Sequence, residues 1–215
     1  HPRIANKYYR LHTRNRKKNV FLLCASAYAA EDYRKINAYR DKAYKWGYFP
    51  PFKEQSTDDL WKKKTINPVT QITWAGRLIW WKRPDLVIKA AKVLKGKGHS
   101  FEITIIGTGP LRLKLLDMIK KYNLENEINL VGALPPKDVI TNMGESQIYL
   151  FTSNFREGWG VVLNEAMNAG CAVLASHAAG STPYMIQDGK NGLIYKNGDL
   201  GDFVNKLEYL LTDLE

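Results

Sequence analysis

From residue 70 onward, short apolar runs alternate with stretches whose apolar residues recur at helical spacing. The runs are Gln71–Ala75, Phe101–Ile106, Ile128–Val131, Ile148–Phe151, Ala172–Ala175 and Gly192–Tyr195, each bounded by Gly, Pro, Asn or Ser. Consecutive apolar positions of that length predict strands buried on both faces of a parallel sheet. Between them, Pro84–Leu94 places Leu86, Val87, Ala90, Ala91 and Leu94 on one helical face, and Leu111–Tyr122 repeats the spacing. Pro136–Met143, Val161–Ala169, Ser181–Gln187 and Leu200–Leu211 complete the predicted helices. Strand and helix in regular alternation predict an α/β domain: a Rossmann-like open parallel sheet with helices on both faces.

The first part of the chain reads differently. Asn19–Ser26 predicts a strand, Glu31–Arg40 a short helix and Ala43–Phe49 a second strand. That is a partial β-α-β unit, too small for a domain of its own. Phe49-Pro50-Pro51 and the polar residues up to Asn67-Pro68 read as a connection, because proline cannot donate to a ladder. The expected division is therefore residues 1–56 as a basic segment with the partial unit, 57–69 as linker, and 70–215 as the α/β domain.

Composition narrows the class. No apolar run approaches the ~18 residues of a membrane span. Cys24 and Cys171 both sit in apolar segments without framework spacing, which points to free thiols, a reducing compartment and so the cytoplasm. The chain opens on His1, which reads as a piece of a longer polypeptide, and closes on Leu214-Glu215, either native residues or a tag remnant. Its formal charge of +11 is uneven. Residues 1–64 hold 16 Lys and Arg against 6 Asp and Glu, whereas 65–215 hold 16 against 15. The densest run is Arg3, Lys7, Arg10, Arg14, Arg16, Lys17 and Lys18, with no acid before Glu31. Such a run reads as a solvated tail or as a peripheral contact with anionic lipid at the inner face of the membrane. No nucleic-acid-binding signature accompanies it. The strand edges of the partial unit leave self-association open.

Candidate chemistry lies in the loops after the strands, where open α/β sheets bind ligands. Gly76-Arg77 with Lys82 offers a close turn, a guanidinium fork and a compact cation, a set suited to phosphate. Gly107-Thr108-Gly-Pro110 is a tight turn. It lacks the spacing of the G-x-G-x-x-G fingerprint, so a nicotinamide cofactor is not supported. The turn at Ala133 and Leu134 is either a plain βα connection or a backbone edge for a nucleobase. The most telling stretch is Glu157-Gly-Trp-Gly-Val-Val-Leu-Asn-Glu165. Glycines on either side of Trp159, just before a helix, offer Gly158, Gly160 and Val161 N–H groups to an anion. Glu157 precedes that turn, and Glu165 is expected two turns into the helix. Taken alone, each acid also reads blandly, Glu157 as a helix cap and Glu165 as a solvated side chain. His177 has no carboxylate nearby in sequence and reads as structural. Metal-ligand spacings and a G-x-S-x-G elbow are absent.

These residues resemble one known family. Gly76-Arg77 with Lys82, Ile106-Gly-Thr-Gly-Pro110, Glu157-Gly-Trp-Gly160 through Glu165-Ala-Met-Asn-Ala-Gly170, Gly180 with Pro183, and Asp188-Gly-Lys-Asn-Gly-Leu193 together look like the donor-binding half of a GT-B glycosyltransferase of the retaining "group 1" class. The likeness covers about residues 70–212 and, weakly, 19–56. It implies an enzyme that moves a hexose from a UDP- or GDP-type sugar to a glycan or lipid-linked saccharide in polysaccharide biosynthesis, without metal or other cofactor. It implies roles for Arg77 and Lys82 on the diphosphate, Glu157 on the transferred sugar, residues 158–161 on sugar and phosphate, Glu165 on the ribose, and Ala133–Leu134 along the base. Gly76, Gly107 and Thr108 fall among the substrate-binding positions. Residues 19–56 resemble the last unit of the acceptor-binding domain, which is otherwise missing. So is the family's closing helix after Leu211, and the isolated fragment is expected to transfer little.

Two residues depart from the family's pattern. Trp159 stands where a Phe is usual, and Tyr184 stands where G-G-x-P-E has its glutamate. Tyr184 keeps alternatives in view: a nucleotide-sugar-binding module without catalysis, or a decayed enzyme. A related GT-B epimerase is a third reading, for which differently placed acids and histidines are expected.

Overall fold

The computed structural model describes residues 2–14, 18–51 and 54–213. Arg16 and Lys17 of the basic run and the closing Leu214-Glu215 lie outside the described residues. The chain forms two compact units, His1–Phe49 and Pro50–Glu215.

In the first unit, α1 (Pro2–Thr13) precedes β1 (Leu22–Cys24), α2 (Ala29–Lys35) and β2 (Ala43–Lys45). The two strands pair in parallel, Leu22 opposite Ala43. The expected β-α-β unit is present, with shorter elements. The helix stops at Lys35 because Asn37, Tyr39 and Asp41 all take left-handed backbone angles, which no helix continues through. The basic N-terminal run, expected as a tail, starts as a helix. His12 explains its seat: Nδ1 lies 3.0 Å from the Tyr39 hydroxyl, and the ring packs against those of Tyr8 and Tyr33, 4.3 and 4.8 Å away. Lys7, Arg10 and Arg14 stay exposed and line a groove of about 440 Å³ with Asn6 and Leu11.

The second unit is built on six parallel strands: β3 (Thr70–Ala75), β4 (Phe101–Ile106), β5 (Ile128–Gly132), β6 (Ile148–Phe151), β7 (Ala172–Ser176) and β8 (Leu193–Tyr195). Their spatial order is β5-β4-β3-β6-β7-β8. Every predicted strand of this unit is observed within two residues of its expected ends. Alternate residues enter two cores. Ile148 and Leu150 join α4 (Pro84–Gly96), α5 (Arg112–Lys121) and α9 (Leu200–Asp213), while Tyr149 and Phe151 join α6 (Pro136–Glu145) and α7 (Val162–Asn168). Both faces of the sheet are thus covered, as its unbroken apolar runs require. The helix expected over Ser181–Gln187 is a single turn, α8 (Thr182–Met185). No helix among the described residues is long and apolar enough to cross a membrane.

Residues 57–69, expected as a linker, are in part helical: α3 spans Thr57–Lys64. Its polar sequence hides the helix from a search for apolar periodicity. Its charges are ordered for one, with Asp58 and Asp59 in the first turn and Lys62, Lys63 and Lys64 in the last. What anchors α3 is the buried head of one lysine. Lys64 Nζ donates to the carbonyl oxygens of Met143, at 3.1 Å, and of Ser146, at the end of α6. Burial lowers the Lys64 pKa, opposed by the neighbouring Cys171.

Candidate functional site

Strand order reverses beside β3: β4 lies on one side, and the later strand β6 on the other. Such a switch point, at the carboxyl ends of the strands, is where open α/β sheets bind their ligands. Of the candidate residues, Lys82 and Glu157 meet at that point.

The loop after β3 is tied to the loops after β4 and β5. Gly76 N–H donates to the Ile106 carbonyl at 2.9 Å, Leu78 N–H to Thr108 at 2.8 Å, and Gly107 N–H to Gly132 at 2.7 Å. Such close backbone approach needs glycine. A Cβ on Gly107 would stand 1.9 Å from the Gly76 carbonyl oxygen, and one on Gly109 2.5 Å from that of Leu78. The Gly-Thr-Gly turn is thus accounted for by chain packing, with the Thr108 side chain exposed beside Arg77's loop. Ala133 and Leu134 follow Gly132 at the end of β5, two strands from β3.

On the other side, β6 ends in Thr152-Ser153, both buried. The Thr152 hydroxyl donates to the Lys82 carbonyl at 2.6 Å and accepts from the Trp74 indole N–H at 2.8 Å. Asn154 N–H donates to the Trp81 carbonyl at 2.8 Å. These bonds hold the Lys82 loop against the Glu157 loop. At their junction Lys82 Nζ forms an ion pair with Glu157 Oε2, both side chains 14% exposed. Ser153 Oγ donates to the same carboxylate oxygen at 3.1 Å, and Gly180 N–H donates to the Glu157 backbone carbonyl at 2.9 Å. Arg77 is exposed on the same loop, its guanidinium 5.7 Å from the centre of the Trp81 ring.

Glu165 sits elsewhere than expected. Gly160 takes φ +78°, and α7 begins only at Val162, so Glu165 is in its first turn rather than two turns along. The turn needs Gly160 for space as well, since a Cβ there would come within 2.4 Å of the Phe151 ring. Glu165 is half-buried, and that burial raises its carboxyl pKa. Both acids lie within electrostatic reach of the buried Tyr149, whose hydroxyl donates to the Ala75 carbonyl at 3.2 Å. Burial raises the Tyr149 pKa, and charges on Glu165 and Glu157 add to it.

Trp159 is buried. Its indole donates to Asn164 Oδ1 at 2.8 Å, its carbonyl accepts from Ser181 Oγ, and the Tyr184 ring lies 6.2 Å from its own. The two departures from the family pattern, Trp159 and Tyr184, are thus neighbours. His177, read from the sequence as structural, is held by two neighbours. Its Nδ1 accepts from the Asn197 N–H at 2.9 Å, and its ring meets Phe155 edge-on at 5.4 Å. Sequence reasoning missed Thr152, Ser153 and Tyr149. The signal available was the polar Thr-Ser-Asn directly after an apolar strand. Among the described residues no group of three or more His, Cys, Asp or Glu is placed to hold a metal ion.

A doubly wound α/β unit with an acid–lysine pair at its switch point is the class this geometry defines. The model of glycosyl transferases group 1 matches residues 56–215, and the chain belongs to that family. It is 34% identical over 142 residues to the amylovoran biosynthesis glycosyltransferase AmsK of Erwinia amylovora, covering 64% of this chain and 35% of that one. With the putative colanic acid biosynthesis glycosyltransferase WcaL of Salmonella typhimurium it shares 31% over 137 residues, 61% of this chain and 33% of the relative. The chain thus spans about a third of the length of these relatives. Among solved structures, HepE of Anabaena in complex with UDP superposes with a TM-score of 0.79 at 17% identity, over 97% of this chain and 59% of that one. TarM superposes at 0.78 and 21%, over 97% and 39%. The fold is that of GT-B glycosyltransferases.

Proposed function

We propose that this chain is the nucleotide-sugar-binding half of a retaining glycosyltransferase. The parent protein transfers a hexose from a nucleoside-diphosphate donor to a glycan or lipid-linked saccharide during polysaccharide assembly. The observation that carries the reading is the Lys82–Glu157 pair, held at the β3/β6 switch point by Ser153, Thr152 and Gly180. Lys82 and the Arg77 fork take the donor diphosphate, leaving Glu157 for the hydroxyls of the transferred sugar. Backbone N–H groups of residues 158–161 approach sugar and phosphate, Glu165 accepts from the ribose hydroxyls, and Ala133–Leu134 lie along the base. As the glycosidic bond breaks, negative charge grows on the departing diphosphate, and fixed cations stabilise that charge more than they stabilise the ground state. The chemistry calls on no metal ion or other cofactor.

UDP and GDP are the donor types expected. UDP comes first because HepE is described with UDP and with UDP-glucose, and the pneumococcal enzyme GtfA with UDP and GlcNAc. Calorimetric titration of the chain with UDP, GDP and ADP tests the site. Saturable binding of one diphosphate is expected, weakened at least about tenfold by Arg77→Ala, since a charge-assisted bidentate contact contributes roughly 1.5–3 kcal/mol. Binding to none of the three, or binding indifferent to Arg77, overturns the donor reading.

A second reading, a binding module without catalysis, is favoured by Tyr184 alone. Its ring packs toward Trp159 where the family pattern places a carboxylate. The intact Glu157 constellation weighs against it.

We further propose a cytoplasmic location at the inner face of the membrane, with the exposed Lys7, Arg10 and Arg14 of α1 meeting anionic lipid. The buried free thiols Cys24 and Cys171 suit a reducing compartment. Binding to vesicles containing phosphatidylglycerol is expected to rise with the anionic fraction and to fall as salt shortens the Debye length. Absent or salt-independent binding leaves α1 a solvated face. The open edges of β1 and β2 also leave self-association available to the first unit.

A further inference from the structure

At the amino ends of β6 and β7, opposite the ends that carry the Lys82–Glu157 pair, an amine and a thiol are buried side by side. Lys64 Nζ lies 3.7 Å from Cys171 Sγ. Neither is there by accident of a flexible surface, since both donate to the same two carbonyl oxygens. Met143 O accepts from each at 3.1 Å, and Ser146 O accepts from Lys64 and, at 3.5 Å, from Cys171. Two shared acceptors fix the two heads in register. No part of the proposed transfer reaction uses them.

A cavity adjoins the pair on the lysine side. Lys64 and Gly170, the residue before Cys171, line a cavity of about 330 Å³ with Trp61 and Gln147. Trp61 is 63% exposed, so the cavity wall reaches the surface. Burial lowers the lysine pKa and raises that of the thiol, the cross-influence of the pair opposing both shifts. Both shifts run toward the uncharged forms of the two groups.

We propose that Lys64 and Cys171 form a modification site, joined on oxidation by hydrogen peroxide into an Nζ–O–Sγ bridge. One inserted oxygen spans most of the 3.7 Å gap, whereas a direct N–S bond requires the heads to close much further. The chemistry balances with two peroxides. The sulfur attacks one peroxide, an S–O bond forms and the O–O bond breaks. The departing hydroxide takes the thiol proton as water, leaving a sulfenic acid. The amine attacks the second peroxide, giving a hydroxylamine and another water. The hydroxylamine oxygen then displaces hydroxide from the sulfenic sulfur, closing the bridge and releasing a third water. Sulfur and nitrogen each lose two electrons, and each peroxide gains two. The bridge fastens α3 to the start of β7, the strand whose far end leads to Gly180. It closes a loop of 107 residues, which restricts the unfolded chain.

The test is mass spectrometry of the wild-type chain after peroxide treatment, digested with a protease that does not cut at lysine. The expected product is a cross-linked pair of peptides holding Lys64 and Cys171, heavier by about 14 Da (one oxygen gained, two hydrogens lost) than the two separately. It disappears on treatment with a thiol reductant, is absent from Lys64→Arg and Cys171→Ser, and raises the thermal midpoint of the wild type. A Cys171 peptide about 16 Da heavier with no cross-link, a cross-link about 2 Da lighter from a direct N–S bond, or an unmodified Cys171 each overturns the proposal. Because the wild-type chain carries the test, poor folding of a variant does not blunt it.

Discussion

Replacing Glu157 by glutamine in the full-length parent enzyme will lower turnover by about 10²–10³ while leaving the diphosphate Kd within about threefold, the pattern of a contact that matters to the transition state more than to the ground state. Glutamine keeps the shape of the side chain, the Ser153 hydrogen bond and the Gly180 contact to the backbone carbonyl. It removes the charge that Lys82 faces. Lys82 is then left 14% exposed without its counter-ion, so its attraction for the donor diphosphate does not fall. The proposed sugar position loses its carboxylate. A paired loss of kcat and kcat/KM at constant diphosphate affinity assigns Glu157 to transfer. Unchanged turnover sinks the catalytic reading and leaves the binding-module reading standing. Comparing hydrolysis of the donor with and without a saccharide acceptor separates transfer from epimerase-type chemistry in the same assay.

Gly107→Ala will cost roughly 3 kcal/mol or more of stability and abolish measurable diphosphate binding, by strain and overpacking together. Its backbone sits at φ +140°, and an added Cβ would stand 1.9 Å from the Gly76 carbonyl oxygen, well inside contact distance. Backbone cannot swing aside as a side-chain tip does. The β3 and β4 loops must separate, and that movement displaces Arg77 from its frame. Gly132→Ala is the matched control. It also lies at positive φ, +86°, but its Cβ meets nothing within 4 Å. Only the conformational penalty remains there, about 1 kcal/mol. Thermal denaturation of both variants, followed by diphosphate titration of whatever stays folded, checks the difference. Equal losses at the two positions would falsify the view that the turns are locked together through Gly107.

The strands and helices of residues 70–213 could be read from the chain because each obeys a local rule. Ile148–Phe151 is apolar at every position since both faces are buried, and Pro84 marks the first turn of α4, where a missing N–H costs nothing. The candidate residues could be nominated from the chain for a related reason. Gly76-Arg77, Lys82 and Glu157 are loop residues with chemistry that no packing argument requires. Where the reading failed, the deciding partner was remote in sequence. Residues 57–64 looked like linker because the helix is polar, and its anchor is one lysine reaching carbonyls 79 and 82 residues away. Glu165 was misplaced by a turn because the start of α7 is set by Gly160 fitting over the Phe151 ring.

The same division runs through the site itself. Residue type and spacing along the chain are enough to specify an all-parallel α/β unit and to nominate an acid with two cations, because periodic burial and loop chemistry are local properties. Whether Lys82 meets Glu157, whether Trp159 is exposed or buried, and which oxygen Ser153 supports depend on β3 and β6 lying side by side, although 75 residues separate Lys82 from Glu157. Ion pairing and desolvation act through space over a few ångströms, so only the folded arrangement of those strands sets them.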